Sequence, residues 1–198
     1  MSEIRRKNRS IPFNLPIFLT WMRVALIPLM VLMFYLPDSW LTLERRSFYA
    51  GWIFIAAAVT DGFDGWLARK WNQTTAFGAF LDPVADKLIV CGSLIIMVQF
   101  DRVDAVIAFV IIGREITISA LREWMAKLGA AKSVAVNSLG KIKTICQMVA
   151  IPMLLYYHPW FGFDLVTIGT WLIWLAAIMT IISMLSYLYS AWQMMRAG

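Results

Sequence analysis

Charged residues are scarce in this sequence of 198 residues. Asp, Glu, Lys and Arg make up 15% of it, and 61% of the residues are hydrophobic. A soluble domain contains about 25% charged and about 45–50% apolar residues. The apolar excess is too large for one water-soluble core, so we expect a lipid bilayer to be the solvent. The length fits a single membrane domain.

Cysteine and histidine are also few. Cys91 and Cys146 both lie within apolar stretches, which excludes a disulfide framework and a cysteine-based metal pattern. His158 is the single histidine, and it is assigned no role. A cleaved signal peptide is not expected, because the first apolar run contains Arg23 and exceeds the roughly 7–15 residues of a signal core. We expect this run to be retained as the first helix.

Six apolar segments follow one another along the chain, and most approach the roughly 20 residues that a membrane-spanning helix needs. They cover residues 16–36, 48–67, 82–100, 105–125, 142–157 and 165–195. No internal repeat or long linker separates them. We therefore predict an all-α integral membrane protein with six transmembrane helices. Residues 1–15 would form a basic cytoplasmic segment, and residues 16–198 a single six-helix domain.

Positive charges are distributed unevenly between the two predicted membrane faces. The net charge is +6, and 15 of the 18 Lys and Arg residues fall on the side of the N-terminus, the exceptions being Arg45, Arg46 and Arg102. Cytoplasmic loops are enriched in Lys and Arg, so both termini are predicted to be cytoplasmic. This pattern favours cytoplasmic loops over nucleic-acid binding.

Four aspartates stand close together in the sequence, on the second and third predicted helices. Asp61 and Asp64 are three residues apart, and Asp82 and Asp86 are four apart, so each pair shares a helix face. A short turn makes the two helices antiparallel neighbours, and the pairs are expected to face each other across one groove. Asp82 is expected to cap the third helix, with Pro83 in its first turn.

Several carboxylates inside a membrane domain require an explanation. Each costs about 2.5–3.5 kcal/mol at a helix centre, and hard divalent cations such as magnesium, manganese or calcium would offset that cost. A two-metal site clamps the attacking and leaving oxygens in displacement at phosphorus. The alternatives are solvated aspartates at helix ends, or an ion pathway. A transporter would usually spread its carboxylates over several helices and show repeat symmetry.

The residues around these aspartates form a known pattern. Asp61-Gly62-Phe63-Asp64-Gly65-Trp66-Leu67-Ala68-Arg69, followed after eight residues by Gly78, Asp82 and Asp86, resembles the signature of the CDP-alcohol phosphotransferase family. Every fixed position of that signature is filled. Gly113-Arg114-Glu115 and Gly140-Lys141-Ile142-Lys143-Thr144 are similar to segments of the bacterial phosphatidylglycerophosphate synthases within the family.

The resemblance implies a six-helix homodimer in the bacterial inner membrane, with its active site at the cytoplasmic side. It implies transfer of the phosphatidyl group of CDP-diacylglycerol to sn-glycerol 3-phosphate, with release of CMP. The metal ligands would be Asp61, Asp64, Asp82 and Asp86, which would hold two divalent ions, either Mg²⁺ or Mn²⁺. Asp86 would also be the base that activates the acceptor hydroxyl. The residues expected to contact the CDP moiety are Gly65, Ala68, Arg69 and Gly78. Close helix packing is the alternative role of the small residues among them.

An acceptor that carries a phosphate needs a cationic pocket. Arg114 and Arg122 are eight residues apart, or about 80° around a helix, so both side chains can reach one groove. We predict that Arg114, Arg122 and Lys141 bind the acceptor phosphate, with Thr20, Arg23 and Lys143 as further candidates for the site. The alternative is ordinary positive-inside charge, with Glu115 or Glu123 as surface partners.

Two other functions stay open at this point. The first keeps the reaction and changes the acceptor to serine, inositol phosphate or a phospholipid. The second, from a different class, is a cation-binding transporter or a membrane scaffold.

Overall fold

The computed structural model describes residues 15–71, 76–127 and 138–197, and these residues form six α-helices. In chain order the helices are α1 Leu15–Met33, α2 Leu43–Trp71, α3 Ala76–Gln99, α4 Ala105–Lys127, α5 Ser138–Tyr156 and α6 Leu165–Ala197. Each predicted apolar segment coincides with one helix, which confirms the all-α fold. Helices α2 and α5 start several residues before the predicted segments. The apolar pattern did not include their first turns, because those turns are polar.

The start of α3 differs from the prediction. The helix begins at Ala76, so Asp82 and Pro83 lie in its second turn, and their predicted places at the cap and in the first turn were wrong. A proline there forfeits one backbone hydrogen bond, to the carbonyl four residues earlier, and neighbouring helices make such a loss tolerable. Asp82 and Asp86 therefore stand one turn apart on a continuous helix.

Aspartate caps do occur at two other helix starts. The Asp104 carboxylate accepts a hydrogen bond from the Val106 amide at 2.7 Å, at the start of α4. Asp164 accepts from the amides of Val166 and Thr167, both at 3.1 Å, at the start of α6. The hydrogen bonds from the Thr167 hydroxyl and backbone amide hold the pKa of the Asp164 carboxyl below its ordinary value. Both aspartates satisfy amides that a helix start leaves without partners.

The helices pack around one apolar core to which all six contribute. Its members with at most 1% exposure include Met30, Phe54, Leu94, Ile111, Leu154 and Ile173. A smaller cluster, Ile118, Met125 and Tyr187, joins α4 to α6. The helices α5 and α6 approach closely at Gly169, where an added Cβ would stand 2.9 Å from Leu154 Cγ. A small residue is required at that position.

The outer surface of the bundle is apolar. Large side chains such as Phe109, Trp171 and Phe80 are 76%, 74% and 66% exposed. Within the described residues, the stretch Leu165–Tyr189 alone is long and apolar enough to cross a membrane, and Phe18–Met33 and Ile142–Tyr156 are apolar but shorter. An apolar exterior suits contact with lipid chains.

Two of the three arginines that depart from the predicted charge asymmetry are buried. Arg102 donates hydrogen bonds to the carbonyls of Leu155 and Leu154 and, at 2.6 Å, to the Ser47 hydroxyl. Since α5 ends at Tyr156, these are carbonyls that the helix end leaves without partners. Arg46 similarly donates to the Phe34 carbonyl, directly after the end of α1, and at 2.6 Å to the Leu41 carbonyl, shortly before the start of α2. Arg46 and Arg102 therefore fasten helix ends and are not surface charges.

We expect Arg102→Gln to lower the thermal unfolding temperature of the protein in detergent markedly. Hydrogen bonds from a charged donor contribute about 1.5–3 kcal/mol each, and Arg102 makes several while its guanidinium lies 4.8 Å from the centroid of the Tyr157 ring. Arg45→Gln is the matched control, because Arg45 lies at the same end of the bundle and is exposed. Equal unfolding temperatures for the two variants would show that Arg102 does not fasten α5.

Candidate active site

Three of the four predicted aspartates lie at one end of the bundle, which we call the aspartate end. Asp61 is on α2, and Asp82 and Asp86 are on α3. Two residues of α1 contact them: Arg23 forms an ion pair with Asp61 through Nη1, and the Thr20 hydroxyl donates to Asp82 Oδ1 at 2.9 Å. The structure therefore brings Thr20 and Arg23, named from the sequence as further candidates, to the aspartates.

The Arg23–Asp61 pair is unevenly buried. The Arg23 side chain is 1% exposed, whereas that of Asp61 is 43% exposed. A buried guanidinium needs a counter-charge, and Asp61 supplies it to Arg23. The exposed part of the Asp61 carboxylate remains open to a ligand. The Asp61 carboxylate thus takes a cationic partner in this structure.

The fourth aspartate and most of the predicted CDP contacts lie in the second half of α2. Asp64, Gly65, Ala68 and Arg69 belong to α2, but their side chains lie outside the described residues; Gly78 lies near the start of α3. Among the described side chains, no group of three or more His, Cys, Asp or Glu could hold a metal ion. The described carboxylates are nevertheless hard oxygen donors, the type that magnesium and manganese prefer.

A polar cavity of about 210 Å³ opens beside Asp86, between α3, α4, α5 and α6. It brings together Asp86 and two of the predicted phosphate-binding residues, Arg114 and Arg122. The polar residues that line it are Asp86, Lys87, Arg114, Glu115, Arg122, Thr144, Gln147 and Tyr187. The third predicted residue, Lys141, has its side chain outside the described residues. One cavity therefore holds a carboxylate at one wall and two guanidinium groups at another.

The charges along the cavity are not balanced. Glu115 Oε1 accepts hydrogen bonds from Arg114 Nη1 at 2.9 Å and from Lys143 Nζ at 2.6 Å. Arg114 is 8% exposed and Lys143 is 1% exposed, so a single carboxylate lies between two buried cations. Arg122, with its guanidinium 5.8 Å from the centroid of the Tyr187 ring, and Lys87 also line the cavity. With Arg114 and Lys143 they make four positive charges, against the two carboxylates of Asp86 and Glu115. An anionic ligand would compensate this excess.

Glu115 differs from the surface partner considered from the sequence. Its side chain is 21% exposed and links α4 to α5 through Lys143. Lys143, a further candidate for the site, is placed against Glu115 at the edge of the cavity. It sets the local charge there, and its ammonium group is already bonded to a carboxylate.

Thr144, Gln147 and Tyr187 are among the lining residues to which sequence reasoning gave no role. Thr144 follows Lys141 by three positions, and Gln147 follows Lys143 by four. Because residues three or four apart lie on the same helix face, the positions of the two lysines could have predicted Thr144 and Gln147. Tyr187 comes from α6, which carries no motif, and no signal in the sequence pointed to it. Gln147 is 4% exposed, and its side-chain oxygen has no hydrogen-bond partner within the described part of the chain.

Known proteins resemble this chain over most of its length. The sequence model of a family described as CDP-alcohol phosphatidyltransferase matches residues 13–182. Proteins of Shigella flexneri serotype 5b (strain 8401) and Escherichia coli (strain K12) are each 50% identical over 182 residues, which cover 90% of this chain and 95% of the relative. Both relatives bear the name CDP-diacylglycerol–glycerol-3-phosphate 3-phosphatidyltransferase.

Proposed function

The chain belongs to the CDP-alcohol phosphatidyltransferase family, and on that premise we propose that it transfers the phosphatidyl group of CDP-diacylglycerol to sn-glycerol 3-phosphate. The products are phosphatidylglycerophosphate and CMP, so the enzyme serves phospholipid biosynthesis. The observation that carries the proposal is the cavity that joins Asp86 to Arg114 and Arg122. Family membership replaces the transporter and the scaffold as explanations of the aspartates.

The cavity matches the acceptor at both ends. sn-Glycerol 3-phosphate presents a hydroxyl that must lose a proton and a phosphate that carries negative charge. Asp86 is the carboxylate for the first, and Arg114 and Arg122 are the cations for the second, since guanidinium groups bind phosphate in a bidentate manner. Serine has no phosphate and would leave the excess positive charge uncompensated. Inositol phosphate has one, and the names of the relatives favour glycerol 3-phosphate over it.

The reaction is a displacement at phosphorus. Asp86 accepts the proton of the acceptor hydroxyl, which requires that the two groups lie within hydrogen-bond reach. The hydroxyl oxygen forms a new bond to the phosphorus that carries diacylglycerol. The bond between that phosphorus and the bridging oxygen breaks, and the bridging oxygen leaves with CMP. Arg114 and Arg122 hold the acceptor phosphate and so orient the hydroxyl toward Asp86.

The donor and its metal are assigned to the aspartate end. Asp61, Asp64, Asp82 and Asp86 would hold divalent metal, magnesium or manganese and two ions, whose charge would stabilise the pyrophosphate and the leaving CMP. The residues proposed to contact CDP are Gly65, Ala68, Arg69 and Gly78. Arg23 and Thr20 support two of the four carboxylates from α1, and they fix the orientation of Asp61 and Asp82.

We further propose that all six helices cross a bacterial inner membrane and that residues 16–198 form one domain. Both termini and the aspartate end would lie on the cytoplasmic side, where the water-soluble acceptor sn-glycerol 3-phosphate is dissolved. The apolar exterior and the uneven positive charge support this orientation. A homodimer is proposed from the resemblance to the family.

The test of the function is CMP release by the purified protein with CDP-diacylglycerol and magnesium in detergent micelles. sn-Glycerol 3-phosphate, serine and inositol phosphate are supplied in parallel as acceptors. We expect turnover with sn-glycerol 3-phosphate. Turnover with serine or inositol phosphate but not with sn-glycerol 3-phosphate would overturn the assignment.

Removal of divalent metal is expected to stop the reaction. A chelator in excess should reduce CMP release to background, and added magnesium or manganese should restore it, because the oxygen ligands proposed here suit both ions. Thermal unfolding is measured in the same samples. A rate that persists in the chelator would remove metal from the proposed mechanism.

A further inference from the structure

The proposed reaction gives no task to the amide of Gln147, which lies in the wall of the cavity. Its side chain is 4% exposed, and it lines the same cavity as Asp86 and Arg122. Its Oε1 atom has no hydrogen-bond partner in residues 15–71, 76–127 and 138–197. A buried acceptor without a partner destabilises a fold, so such atoms call for a specific reason.

The acceptor molecule also has one polar group left over. Asp86 takes the proton of its reacting hydroxyl, and Arg114 and Arg122 bind its phosphate. Between these two ends stands the hydroxyl on the central carbon of sn-glycerol 3-phosphate, which does not react. We propose that Gln147 accepts a hydrogen bond from this central hydroxyl and thereby determines specificity for a glycerol phosphate. This inference rests on the proposed function.

The chemistry of the side chain suits that role. A neutral amide oxygen accepts a hydrogen bond without adding negative charge beside the acceptor phosphate, whereas a carboxylate at the same place would repel it. Glu115, a carboxylate of the cavity wall, is already bonded to Arg114 and Lys143. The cavity, at about 210 Å³, is smaller than the roughly 300–1,000 Å³ of sites for drug-sized ligands. A small polar acceptor fits such a space.

The experiment compares two acceptors that differ in this hydroxyl alone. 3-Hydroxypropyl phosphate keeps the primary hydroxyl and the phosphate of sn-glycerol 3-phosphate and lacks the central hydroxyl. The unmodified protein should prefer sn-glycerol 3-phosphate by roughly 10-fold to 100-fold in kcat/KM, because the analogue without the central hydroxyl leaves the buried Gln147 oxygen unsatisfied. Gln147→Met removes the amide with little change in length. Its preference should fall to within about threefold of unity.

The ratio of the two kcat/KM values does not depend on how much of each variant is folded. Gln99→Met is the matched control, because Gln99 is an exposed residue at the other end of α3, where it accepts a hydrogen bond from the Tyr35 hydroxyl at 3.3 Å. It should keep the full preference. If Gln147→Met forms no product, the rise in unfolding temperature produced by each acceptor supplies the same comparison.

Three outcomes separate the possibilities. Discrimination by the unmodified protein that disappears in Gln147→Met supports the inference. An unmodified protein that uses both acceptors equally, or a Gln147→Met variant that still discriminates fully, overturns it. Failure of the unmodified protein to use sn-glycerol 3-phosphate at all would instead overturn the proposed function on which the inference rests.

Discussion

Asp86→Asn is expected to lose nearly all CMP release, by about 100-fold to 10,000-fold, the range over which a positioned general base contributes. The amide of asparagine has almost the same shape as the carboxylate but cannot accept the proton of the acceptor hydroxyl. Asp86 is also the aspartate that the cavity joins to Arg114 and Arg122. Its loss should therefore reduce kcat with every acceptor, and not only the affinity for one of them.

The matched control is Asp101→Asn, at the opposite end of the bundle. Asp101 is exposed and has a φ of 55°, a conformation that asparagine adopts as readily as aspartate. We expect this control to keep its activity, and both variants to unfold at about the temperature of the unmodified protein. Substantial residual turnover in Asp86→Asn would remove Asp86 from the role of base. A variant that unfolds at a much lower temperature would show that the carboxylate it lacks stabilises the fold.

The fold was predictable to the extent that helices are marked by apolar residues. All six helices follow from runs of apolar side chains, since a helix satisfies its own backbone hydrogen bonds and lets such a run avoid water. The start of α3 was not predictable in this way. Asp82 and Pro83 together are typical of a helix start, yet the turn before them is also helical. The Asp82 carboxylate does not cap the helix and accepts a hydrogen bond from the Thr20 hydroxyl of α1 instead. The partner of this carboxylate lies 62 positions away in the sequence, so no local pattern could identify it.

The charges show the same division. The positive-inside pattern identified an asymmetry, but burial of Arg46 and Arg102 against helix ends depends on tertiary packing and has no local signal. Glu115 and Lys143 are 28 positions apart in the sequence. Their ion pair becomes visible only when α4 and α5 are packed. Side chains that belong to a motif could thus be assigned from spacing, whereas the cavity they share with Gln147 and Tyr187 required the arrangement of four helices.

Arg122→Ala is expected to raise the apparent KM for sn-glycerol 3-phosphate by roughly 10-fold to 100-fold and to change that for CDP-diacylglycerol much less. A hydrogen bond to a charged group contributes about 1.5–3 kcal/mol, and each 1.36 kcal/mol corresponds to a factor of ten. Arg122 is the more informative of the two arginines, because its side chain is exposed and its removal leaves the Arg114–Glu115 pair intact. Arg122→Lys should lie in between, since an ammonium group keeps the charge and loses the bidentate geometry.

The control for Arg122 is Lys127→Ala, which removes a positive charge five residues further along α4. Lys127 is exposed and pairs with Glu123 at 2.9 Å, outside the residues that line the cavity. If the cavity acted only through its general positive potential, the loss of either charge would weaken the binding of both substrates to a similar degree. Added salt would then abolish the difference between each variant and the unmodified protein. If the Arg122 guanidinium contacts the acceptor phosphate, we expect the opposite. The apparent KM for sn-glycerol 3-phosphate should rise strongly and selectively in Arg122→Ala and hardly at all in Lys127→Ala. Equal rises in KM for both substrates in Arg122→Ala would reduce Arg122 to a structural residue and leave Arg114 to bind the phosphate.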